Sequence, residues 1–90
     1  MTDYLQALLV TCMQAKKHGI DCFCDYHTHV NALTLGIYRN GYNSNPDRTF
    51  DDWYWIYLDE DEELVIKKLK SCIQLLEWII RDKEAENHAI

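Results

Sequence analysis

The stretch "AKKHGIDCFC", residues 15–24, ends one kind of repeat and begins another. Ahead of it, Leu5, Leu8, Leu9, Cys12 and Ala15 recur at the spacing of a single helix face. Lys16, Lys17 and His18 suit the negative end of a helix dipole. Gly19 supplies the left-handed residue that stops a helix, and Ile20 can then pack back on the last turn. Beyond it, Cys22 and Cys24 alternate with Asp21, Phe23 and Asp25, which is the two-residue period of a strand. The reading is a helix from about Thr2 or Asp3 to Lys17, capped by Thr2, followed by a strand over about Ile20–Tyr26.

Outward from that junction the period of two continues to Leu58. After a connection around His27–Val30, Leu33, Leu35 and Ile37 alternate with Thr34, Gly36 and Tyr38, so a second strand is expected over about Asn31–Arg39. "NGYNSNPDRTF", residues 40–50, carries Asn-Gly and the only proline, both turn formers. A third strand, about Asp52–Leu58, follows from "WYWIYL". A second helix begins near Asp59. Asp59 and Glu62 have capping-box spacing, and Val65, Leu69, Cys72, Leu76 and Ile79 form its apolar seam, flanked by Ile66, Ile73 and Ile80. The polar tail from about residue 82 is expected to fray. The fold class is α+β, in the order α-β-β-β-α: a three-stranded antiparallel meander with both helices on one face, forming a single domain over residues 1–90.

Ninety residues leave no room for a second core. The net charge is -6, and acidic residues crowd the segment from Asp47 to Glu63, opposed there only by Arg48. Such a surface repels nucleic-acid phosphates and anionic membranes, so charged partners should be basic. The N-terminal residues read as an amphipathic helix rather than a signal peptide, and no apolar run approaches the ~20 residues of a membrane span. A cytoplasmic protein with reduced thiols is expected.

Cys22, Cys24, His27 and His29 fall close together in "CFCDYHTH", and the question is whether they hold zinc. Zinc needs about four ligands around one point. Cys-x-Cys in a strand puts both sulfurs on one face, with His27 and His29 on the other unless a turn redirects them. The alternative reading makes all four cysteines, Cys12 and Cys72 included, small buried apolar residues. That reading needs no cofactor. A zinc module built on Cys22, Cys24, His27 and His29 stands as the alternative. A core site using all four cysteines is a more distant one. Catalysis lacks any support: there is no Gly-rich phosphate loop, no G-x-S-x-G, no H-E-x-x-H, and no calcium-loop pattern in the acidic cluster. The chain is read as a non-enzyme.

The informative surface is the other side of the sheet. With Tyr54, Ile56 and Leu58 facing the helices, Trp53, Trp55 and Tyr57 face away, and Tyr38 and Thr34 share that outer side, with Phe23 joining from the first strand. Gly36 lies among them, where an aromatic ring can cover bare backbone. Each aromatic side chain carries ~150–250 Å², so four of them reach the few hundred Å² of apolar patch a monomer tolerates. Trp53, Trp55, Tyr57 and Tyr38 are therefore the candidate binding surface, with a homodimer as the first expectation and a fold-back of a loop or tail as the competing one. Leu64, Leu75 and Trp78 lie off the seam of the second helix, either under the first helix or exposed.

The element order resembles that of the double-stranded-RNA-binding domain. That family carries a lysine-rich motif at the start of its second helix. Here Asp59, Glu60, Asp61, Glu62 and Glu63 stand there instead, and Lys67, Lys68 and Lys70 come about two turns later. A similar topology without RNA binding is expected, although an aromatic sheet can in principle stack bases. An acidic surface that mimics nucleic acid toward a host protein is a further alternative.

"FCDYHTHVNALTLGIYRNGY" and "DDWYWIYLDE", spanning Phe23 to Glu60, resemble small uncharacterised proteins encoded by phages and prophages of Gram-positive bacteria. The pattern is an aromatic strand, a His-Val turn, a strand ending in Ile-Tyr, a Gly-aromatic loop, and a Trp/Tyr strand closing on Leu-Asp. The resemblance implies an accessory protein acting in the host cytoplasm on a host or phage protein, and it carries over no functional residue.

Overall fold

A computed structural model describes residues 1–42 and 49–88. Pro46 and the rest of 43–48 in the turn-rich loop, Asp47 of the acidic segment among them, lie outside the described residues. The elements are α1 (Thr2–Lys16), β1 (Asp21–His27), β2 (Ala32–Tyr38), β3 (Asp52–Tyr57) and α2 (Glu62–His88). The strands form one antiparallel sheet in the order β1-β2-β3, as the alternation requires.

The junction at Gly19 is built as its residues dictate. Gly19 sits at φ 76°, and the amide of Ile20 donates to the carbonyl of Ala15 at 3.1 Å while the Ile20 side chain is fully buried. At the other end of α1, Thr2 is already helical, Met1 is the N-cap, and no side chain caps the helix. The buried face of α1 is Leu8, Thr11 and Ala15. Thr11 satisfies its hydroxyl by donating to the Ala7 carbonyl at 2.7 Å. Leu9, expected on this face, is half-exposed.

Leu33, Leu35 and Ile37 from β2, Ile56 from β3 and the α2 seam Val65, Leu69, Cys72, Leu76 and Ile79 close the core against α1. α1 packs on β1 and α2, and α2 covers β3 sparsely. Leu75 packs against the core, but Leu64 and Trp78 remain exposed, the Trp78 ring lying 5.7 Å beneath the Arg39 guanidinium.

Two boundaries differ from those read in the sequence. The amide of Leu58 still donates to the Asn31 carbonyl at 2.9 Å, so the chain stays on the sheet and α2 starts only at Glu62, its first turn closed by Val65 N–H to the Asp61 carbonyl. Asp59 therefore caps nothing, while Glu60 holds Lys68 at 3.1 and 3.2 Å. At the far end α2 continues to His88 rather than fraying from residue 82. Tertiary contacts account for this: Glu84 lies 3.6 Å from His18, and Lys83 donates to the Asn40 side chain.

Candidate interaction surface

The register assigns each side chain to a face. Cys22 is opposite Ile37 and Cys24 opposite Leu35, so both cysteines face the helices. Phe23 is opposite Gly36, Gly36 opposite Trp53, Thr34 opposite Trp55 and Ala32 opposite Tyr57, so the aromatics face away. This outer face divides into two halves.

The first half is roofed by Tyr42 and Phe50, two described residues of the connection between β2 and β3. The ring of Phe50 lies on Gly36 so closely that a Cβ there would stand 2.4 Å from it. Phe50 meets Tyr38 at 4.6 Å, Trp53 at 5.1 Å and Phe23 at 5.6 Å between centroids, and Tyr42 adds contacts to Phe23 and Tyr38. Asp21 anchors the roof by accepting from the Tyr42 amide at 2.7 Å. Tyr38 is thereby only 6% exposed. It supports the surface from below and is not part of a contact face, which corrects its expected role.

The second half is open. His27 stacks on Trp55 with centroids 5.5 Å apart and planes 10° from parallel, and its Nε2 is 3.1 Å from the buried Thr34 hydroxyl. Trp55 meets Tyr57 at 5.9 Å. Trp53, Trp55 and Tyr57 are 51%, 43% and 45% exposed. Three of the four expected surface residues are thus brought together as an accessible stripe. His27 is the residue the sequence reading placed in another role, and Phe50 and Tyr42 are the ones it left out. The bare backbone at Gly36 was the only signal for such a roof.

The metal alternative fares differently. Cys22 and Cys24 lie under α1, His27 is stacked on the outer face, and His29 belongs to the turn that closes on Asn31, whose φ is 47°. The four are not brought together, and among the described residues no group of three or more His, Cys, Asp or Glu side chains has a metal-holding arrangement. Instead Cys12 and Cys22 line one shallow recess with Asp21 and Phe23. The interaction between the two thiols lowers the pKa of Cys22, against burial, and pushes that of Cys12 up. Burial pushes the Cys24 and Cys72 thiols up to about 11. Cys72 is buried in the core, whereas Cys12, Cys22 and Cys24 are half-buried at its rim, which corrects the reading of all four as buried residues.

No family model, curated protein or solved structure matches the chain. Among the described residues no helix is long and apolar enough to cross a membrane.

Proposed function

We propose that the chain is a small non-enzymatic interaction module that self-associates through the open aromatic stripe Trp53, Trp55 and Tyr57. The observation that carries this reading is that the stripe stays exposed although the same sheet face has a built-in aromatic roof over its other half. Aromatic side chains with this exposure are enriched at protein interfaces, where their area is recovered by burial. The resemblance of Phe23–Glu60 to phage and prophage proteins supports an accessory role in a host cytoplasm, where the dimer would engage a host or phage protein.

The test is Trp55→Ala in the full chain. Its circular dichroism should match that of the parent, because the ring lies outside the core, while self-association weakens at least tenfold, the loss typical of an interface aromatic worth more than about 1.4 kcal/mol. Association of Trp55→Ala equal to that of the parent would sink the reading.

A further inference from the structure

We infer that two copies of this chain pair edge to edge through β3, antiparallel about a two-fold axis at Trp55, so that two three-stranded sheets become one continuous sheet. This rests on the self-association reading above and adds its geometry.

β3 is an edge strand. The bond from Leu58 N–H to the Asn31 carbonyl sets the parity of the β2–β3 ladder. In an antiparallel pair the bonded residues alternate, so Ile56 and Tyr54 direct their backbone groups at β2. Trp53, Trp55 and Tyr57 then direct theirs at the open edge. An edge of this kind is a template for another strand. The opposite edge, β1, is guarded by Asp21 and Asp25, whereas no charged residue interrupts β3 between Trp53 and Tyr57.

The occupant follows from symmetry. The outward-directed residues are spaced evenly about Trp55, so a second β3 running antiparallel places Trp55 against Trp55 and Trp53 against Tyr57. Every outward N–H then meets a carbonyl. The two-fold axis stands perpendicular to the sheet, which keeps both aromatic stripes on one side and both helix layers on the other. Across the seam the rings of Trp53, Trp55 and Tyr57 become cross-strand neighbours of their counterparts, the pairing by which sheets gain side-chain contact. On the helix side, α2 does not close over the edge. A cleft of about 410 Å³ bordered by Tyr54 of β3 and by Leu64, Lys67 and Ser71 of α2 leaves room beside the seam for Tyr54 of the second copy, itself 36% exposed, while Ile56 stays in the core of its own protomer.

The wild-type full chain, purified under reducing conditions, is tested by native mass spectrometry and by residue-resolved amide exchange at high and low concentration. The expected result is a mass of twice the chain, with the Trp53, Trp55 and Tyr57 amides exchanging at least tenfold more slowly in the dimer. Tyr54 and Ile56 stay protected at both concentrations through β2. A dimer in which those three amides exchange as in the monomer would overturn edge pairing while leaving association through the aromatic faces intact. A monomer at every concentration would overturn both. Tyr57→Pro supplies a second readout. It removes an outward N–H without touching the β2 ladder, a position where an edge strand accepts proline. It should weaken the dimer at least tenfold beyond Tyr57→Ala, and equal weakening by the two variants would overturn the backbone pairing.

Discussion

Single side chains here owe their properties to which face of one strand they occupy. Cys24 and Cys72, with thiols pushed up to about 11 from 9.0, should react with iodoacetamide near pH 8 about a hundredfold more slowly than free thiols, and Cys22 should be modified first. Mass-resolved labelling gives the order directly. The same shifts set a pH dependence. The folded state keeps protons that the unfolded chain releases near pH 9, so this part of the stability is full below about 9 and declines as pH rises through about 11. Denaturant titrations across that range should show the decline, and Cys72→Ala should flatten it. Gly36 is the other singular position. Gly36→Ala would drive a methyl into the Phe50 ring, displacing it from Tyr38 and Trp53 at a cost of about 1–3 kcal/mol. Thermal unfolding measures the cost, and restored exposure of Tyr38 marks the displaced ring.

At the level of elements, Arg39 fastens the end of β2 to its neighbours. Its Nε and Nη2 donate to the two carboxylate oxygens of Asp52 at 2.8 and 3.0 Å, its backbone amide donates to Asp51, and its guanidinium lies over Trp78. Lysine can supply the charge but neither the planar fork nor the same stacking. Arg39→Lys should therefore lose about 1 kcal/mol of stability by chemical denaturation. The element order was legible in the sequence because the apolar period changes at Gly19 and again after Leu58. The limits of α2 were not. Its start is delayed by a sheet bond from Leu58 to Asn31, and its polar end is held by His18 and Asn40, residues remote in sequence. The outer face was legible from alternation alone. The burial of Tyr38 was not, because no periodicity marks which loop residue folds back, and Phe50 and Tyr42 sit outside every repeat.

For the whole molecule, charge opposes the proposed association. The chain carries a net -6, and antiparallel pairing of β3 brings Asp51 of one copy toward Asp59 of the other at both ends of the seam. Asp52 pairs with Arg39, Glu60 with Lys68, and Asp51 accepts from the Arg39 amide, and the repulsion at the seam acts between solvent-exposed groups. Exposed charges are screened beyond about 10 Å at 0.1 M salt. Raising the ionic strength from about 0.02 to about 0.5 M should therefore tighten the dimer several-fold, the reverse of a nucleic-acid complex. Sedimentation across that series reads the sign. The placement of the three tryptophans has a spectroscopic consequence. Trp53, Trp55 and Trp78 are all half-exposed, and none lies in the core. Indole emission should therefore already be close to that of a solvated ring in the native monomer, and denaturation should barely shift it. Pairing of β3 would cover Trp53 and Trp55 in part with rings of the second copy and move the emission modestly to the blue, so the intrinsic fluorescence of this protein would follow assembly while remaining nearly silent to unfolding.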